Sequence, residues 1–121
     1  MSALPDWTDD LLKRLNSFLD LAPNWDSYRA KAADPDSVRH ARSVIYLVAA
    51  IEGMNRPLLS LSPAGNVSFT WRFMTGDVDV EILGSGLMRM SEDVIDGESV
   101  DLEDPVDIAY LIGRLNCREK E

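Results

Sequence analysis

Three carboxylates, Asp77, Asp79 and Glu81, recur at every second position near the middle of the chain. On an extended strand that spacing projects all three from one face, where they could gather a divalent cation for hydrolysis. A carboxylate–metal nuclease would also want a lysine two residues after the glutamate, and Leu83 stands there. The other reading is a solvated sheet face, and no metal is assigned. His40 is the only histidine and Cys117 the only cysteine. His40 falls on an expected helix between Arg39 and Ala41 and reads as a solvent-facing or rim residue. Cys117 sits beside Arg118, and nothing nearby marks it as an activated thiolate. A glycine-rich phosphate loop, zinc-ligand spacing and a nucleophile elbow are all lacking in the sequence. The chain is therefore read as a non-enzyme, with no catalytic residue and no cofactor.

The densest charge lies later. Ser91 to Asp104 holds Glu92, Asp93, Asp96, Glu98, Asp101, Glu103 and Asp104, with no basic residue. A calcium-loop register begun at Glu92 puts Asp96, Gly97 and Glu103 in suitable places, but Val94 occupies a ligand position and the first residue is Glu rather than Asp. Two readings stay open: a solvated acidic loop, or a contact surface for a basic partner. The net charge of −9 repels phosphates, which argues against direct nucleic-acid binding and against anionic membranes. It attracts a cationic partner at low salt, as protein mimics of nucleic-acid backbones do. A second candidate contact is Asn24-Trp25-Asp26-Ser27-Tyr28. Exposed, Trp25 and Tyr28 flanking Asp26 would form a hot-spot cluster; buried, they would lock a loop onto the domain with Trp25 at the core rim.

These residues must be held by a domain, and 121 residues fit one. The first periodic segment, Trp7 to Leu21, carries an apolar stripe of Leu11, Leu15, Phe18 and Leu19, with Asp6 or Thr8 as cap and Pro23 as stop. Asn24 to Ala33 reads as a loop folded back on the domain. Asp34-Pro35 opens a second helix, whose stripe of Val38, Ala41, Ile45 and Val48, widened by Val44, Leu47 and Ile51, makes it the central, most buried helix. After Pro57 the period changes from 3.6 to 2. Leu59 and Leu61, Val67 to Phe73, Val78 to Ile82 and Leu87 to Met90 read as four strands joined by short turns at Pro63–Asn66, Thr75–Asp77 and Gly84–Gly86. Asp104-Pro105 opens a last helix with Ile108, Leu111, Ile112 and Leu115 inward. The expected fold is α+β, ordered α-α-β-β-β-β-α over residues 1–121. A four-stranded antiparallel meander would carry the helices on one sheet face and leave the other largely wet.

Asn24-Trp25-Asp26-Ser27-Tyr28, followed by Ala30-Lys31, Asp34-Pro35, Pro57, the Pro63–Gly65 turn, Trp71 and Asp79-Val80-Glu81-Ile82, resembles a family of small bacterial and mobile-element proteins. They share an Asn-Trp-Asp-Ser/Gly-Tyr-Gly-Ala motif, a helix, and a strand ending in Glu-Trp. The likeness spans residues 24 to 83, with Arg29 in place of the usual glycine and Thr70 in place of the acidic residue before the tryptophan. Arg29 implies a negative φ or a strained turn. The resemblance implies no activity and transfers no catalytic residue. It implies a small accessory protein of bacteria, prophages or plasmids.

Together these features lead to a first expectation of an inhibitory binding protein, of the antitoxin, immunity or anti-CRISPR kind, cytoplasmic and monomeric or homodimeric. It would occlude the basic surface of a larger protein, including one in a nucleic-acid-binding complex. The expected contacts are Trp25, Asp26 and Tyr28 or the acidic residues Glu92 to Asp104. The rivals are a metal-dependent hydrolase or nuclease using Asp77, Asp79 and Glu81, and a structural homo-oligomer paired through Leu87–Met90 as an edge strand.

Overall fold

The computed structural model describes residues 4–25, 30–94, 97 and 99–117. Three helices and an antiparallel sheet make it α+β, ordered α1 (Trp7–Phe18), α2 (Pro35–Ala49), β1 (Leu58–Leu61), β2 (Val67–Phe73), β3 (Gly76–Ile82), β4 (Met88–Glu92), β5 (Val100–Asp101) and α3 (Ile108–Asn116). The sheet is a meander in chain order, β1-β2-β3-β4-β5. It has five strands where the sequence pattern predicts four. β5 pairs Asp101 with Ser91 and Val100 with Glu92 and is only two residues long. So short a pairing, made by backbone groups, leaves no alternation for a pattern to reveal. The extra strand also moves the sheet edge. β4 is paired on both sides, so Leu87–Met90 is not an edge strand.

Period-2 alternation places Leu59, Leu61, Val67, Phe69, Trp71, Phe73, Val78, Val80, Ile82, Met88 and Met90 in the core. Leu11, Leu15 and Phe18 of α1, Val38, Ala41, Val44, Ile45 and Val48 of α2, Met54 just beyond it, and Leu111 and Leu115 of α3 bury against them in one cluster. Phe69 and Trp71 stack at its centre with ring centroids 5.4 Å apart.

α2 begins as its sequence requires. Asp34 caps it by accepting from the Asp36 N–H at 2.9 Å, with Pro35 at the first helical position. Its Ser37 is fully buried, and its hydroxyl sits between two strands. It donates to the Ile82 carbonyl at 2.6 Å and accepts from the Val67 N–H at 2.9 Å. Val67 and Ile82 are opposite each other in the β2–β3 register. One hydroxyl thus completes the ladder and pins the helix to the sheet. α2 is less enclosed than its pattern suggests. Leu47 is 49% exposed and Tyr46 48% exposed, because the covered arc runs through Val38, Ala41, Val44, Ile45 and Val48 and leaves these two outside it.

Three other boundaries differ from expectation. α1 ends at Phe18, with Leu19 and Asp20 donating to Asn16 and Ser17 carbonyls in a closing turn. Neither expected side chain caps its start: Asp6 is the N-cap residue but its carboxylate makes no cap hydrogen bond, and Thr8 is buried. α3 starts at Ile108, capped by Asp107, whose carboxylate accepts from the Tyr110 N–H at 3.0 Å. Asp104-Pro105 does not open it. Val106 is drawn into a two-way backbone pair with Met88, at 2.8 Å each way, so helical winding is delayed until that pair is made. No helix of the described residues is long and apolar enough to cross a membrane.

Candidate functional site

The chemistry-bearing side chains lie on the non-core positions of the strands, and the turns set their register. Phe73 pairs with Gly76, which leaves Met74-Thr75 as a two-residue hairpin loop. That register puts Thr70 opposite Asp79 and Ser68 opposite Glu81. The Gly84–Gly86 turn then puts Arg89 opposite Glu81 and Ser91 opposite Asp79, and β5 brings Asp101 opposite Ser91. One row across four strands therefore reads Thr70, Asp79, Ser91, Asp101, and the neighbouring row reads Ser68, Glu81, Arg89. These side chains border a hollow of about 400 Å³.

Asp77, Asp79 and Glu81 do share a face, and all three are half-buried. They do not act as a trio. The Thr70 hydroxyl donates to Asp79 Oδ1. Glu81 Oε2 accepts from Ser62 Oγ at 3.2 Å and from Asn66 Nδ2 at 3.0 Å. Neutral donors thus orient both carboxylates. Arg89, although opposite Glu81, forms no ion pair with it. Among the described residues no three His, Cys, Asp or Glu side chains are grouped to hold a metal ion. Ser62, Asn66, Ser68 and Thr70 are the part of this surface that sequence reasoning missed. Their polarity reads as solvation until the hairpin register shows that each lies beside a carboxylate.

The acidic stretch splits in two. Glu92 is mostly buried and turned inward, where Arg114 of α3 donates to it through Nε at 3.1 Å and Nη2 at 3.4 Å. The hydrogen bond to Glu92 and the attraction of its charge raise the Arg114 pKa above its already high ordinary value. Glu92 is a tether for α3 rather than a free contact. Asp93, Asp101, Glu103 and Asp104 are exposed. Asp101, Glu103 and Asp104 have no basic partner within ion-pair distance among the described residues. Asp96 and Glu98 lie outside the described residues. The Asp93 segment is fixed to the sheet by its N–H, which donates to the Asp77 carbonyl at 2.8 Å. Gly76, at φ +133°, leaves room there: a Cβ would overlap the Asp93 carbonyl oxygen.

The aromatic motif closes a loop. The Asn24 N–H donates to the Ala30 carbonyl at 2.6 Å, and Asn24 itself takes φ +65°, which asparagine tolerates. Trp25 is half-buried against the core, and its Nε1–H donates to the Lys31 carbonyl at 2.9 Å. Lys31 and Asp34 then donate to the Pro63 and Gly65 carbonyls, stitching this segment to the β1–β2 turn. Asp26, Tyr28 and the departure at Arg29 lie outside the described residues. His40 is half-buried, its ring lying against Gly86, and Cys117 is exposed.

Both ends of the sheet are guarded. The Arg14 side chain of α1 donates Nε–H to the Leu59 carbonyl at 3.1 Å, taking up one carbonyl of β1. β5, at two residues, offers almost no ladder to a second chain. No family model, curated protein or solved structure matches the chain.

Proposed function

We propose that this chain is a non-enzymatic binding protein that occludes a basic surface of a larger protein, in the manner of an antitoxin, an immunity protein or an inhibitor of a nucleic-acid-directed defence complex. The observation that carries this is the exposed run Asp101, Glu103 and Asp104, which has no ion-pair partner among the described residues, beside a sheet face on which Asp77, Asp79 and Glu81 likewise form no ion pair among the described residues. Unpaired, exposed like charges repel one another and are relieved by a cationic surface, which raises association rate and selectivity. The three helices are taken to cover the same face of the sheet, as their shared core supports, which leaves the opposite face open to a partner. A partner that competes for phosphate-like contacts fits this pattern better than nucleic acid itself.

Zero-length carbodiimide cross-linking in lysate of the native host joins carboxylates to lysines of the partner. The expected result is one stoichiometric partner linked through residues 93–104. Neutralising Asp101, Glu103 and Asp104 together should then weaken affinity about tenfold at low salt and flatten its salt dependence. Unchanged affinity at low salt would contradict the proposal.

A further inference from the structure

We infer that the hollow on the non-core side of β2–β5 is an arginine-binding site, which seats a guanidinium presented by an extended, basic segment of the partner protein. This rests on the binding-protein reading and names where the contact is made. The first support is an incomplete electrostatic arrangement. Asp79 and Glu81 are half-buried, yet among the described residues each is oriented by neutral donors alone, Thr70 for one and Ser62 with Asn66 for the other. A carboxylate partly withdrawn from water is stabilised by an opposite charge beside it. Here the intramolecular candidate, Arg89, stands directly opposite Glu81, is exposed, and forms no ion pair among the described residues.

The second support is shape. Asp79 and Glu81 are two positions apart on one strand, about 6.6 Å, and Asp101 stands two strands away from Asp79, about 10 Å. A hollow of about 400 Å³ lies among them. That spacing suits a flat cation with several donors directed outward, which can meet two carboxylates and a hydroxyl together, better than a point charge. The third support is access. Arg14 takes one carbonyl of the short β1 edge and β5 offers two residues, so the broad face gives a partner segment more contact than either edge. With four carboxylates, Asp77, Asp79, Glu81 and Asp101, against Arg72 and Arg89, the face is net negative and repels acidic or phosphate ligands.

The test is a titration of the full ¹⁵N-labelled chain with the peptide acetyl-Gly-Arg-Gly-Arg-Gly-amide at low salt. Analogues carrying lysine or neutral citrulline in place of arginine serve as controls. The expected result is saturable shifts at the amides of Ser68, Thr70, Asp79, Glu81 and Ser91. They should be severalfold weaker with lysine and absent with citrulline. Asp79→Asn with Glu81→Gln keeps the acceptors for Thr70, Ser62 and Asn66 and should abolish the response, while Glu103→Gln with Asp104→Asn should leave it. Arg89→Gln removes the one competing cation beside Glu81 and should tighten binding severalfold, a gain that misfolding cannot produce. Shifts confined to residues 99–107, equal responses to lysine and arginine, or weaker binding by Arg89→Gln would each overturn the site. The first of these would leave the proposed function standing, and no response to any cationic peptide would remove the site while leaving that function to the salt-dependence test.

Discussion

The two faces of one sheet are built from the same strands and obey opposite rules. On the core side, Phe69, Trp71, Val80 and Ile82 are packed to near-zero exposure, and the Ser37 hydroxyl buried there has both its bonds made. On the other side, Thr70, Asp79 and Glu81 are half-buried, hydrogen-bonded, and short of positive charge. Alternation at period 2 means each strand serves both faces without sharing a side chain between them. If the outer face binds the proposed partner, stability and recognition can be changed separately, and that separation is what substitutions should reveal.

The largest effect should come from Trp71→Ala. Removing a fully buried indole stacked on Phe69 leaves a cavity and should cost about 3–5 kcal/mol in urea unfolding. Trp71→Phe should cost far less, because the indole N–H is itself buried with no hydrogen-bond partner among the described residues. Ser37→Ala comes next. It strands the Val67 N–H and the Ile82 carbonyl at one end of the β2–β3 ladder and should cost about 1–3 kcal/mol, a fall in melting temperature of about 4 °C per kcal/mol. Gly76→Ala should cost about 1 kcal/mol or more, since φ +133° disfavours a side chain and the Asp93 carbonyl occupies its space. Hydrogen exchange should show the loss concentrated at the β3–β4 end.

Arg114→Gln should be smaller, about 0.5 kcal/mol, because the guanidinium is 40% exposed and its pairing with Glu92 is partly screened. Faster exchange in α3 would be its signature. Thr70→Val, on the opposite face, should stay within about 0.5 kcal/mol while altering the orientation of Asp79. A loss at Thr70 as large as that at Ser37 would break the contrast between the faces.

Much of this fold was legible in the residues. Val67 to Phe73 and Val78 to Ile82 alternate without a break, and Asp34-Pro35 states a helix start in two residues. What the sequence hid depends on long-range backbone pairing. Val100-Asp101 carries no strand pattern because it is held through the main chain of Ser91 and Glu92. Asp104-Pro105 looks like a helix start, but Met88 takes Val106 first. Leu47 belongs to the apolar pattern of α2 and still faces outward, because periodicity shows how wide a stripe is and not how much of it the neighbours cover. The candidate site was half legible. Its carboxylates stand out at spacing two, whereas the hydroxyls and amide that orient them are identified only by register. Of the expected contact residues, Glu92 proves to be committed to Arg114, and Trp25 to the Lys31 carbonyl.

The separation of the faces can be tested in one variant measured two ways. Asp79→Asn with Glu81→Gln keeps one acceptor oxygen at each position for Thr70, Ser62 and Asn66 and removes two charges. The account predicts a melting temperature within about 2 °C of the parent chain, consistent with changes of no more than about 0.5 kcal/mol. It also predicts a fall of about tenfold or more in affinity for the cross-linked partner at low salt. A melting temperature many degrees lower with affinity intact would contradict it, and would make this face a structural element instead of a binding surface.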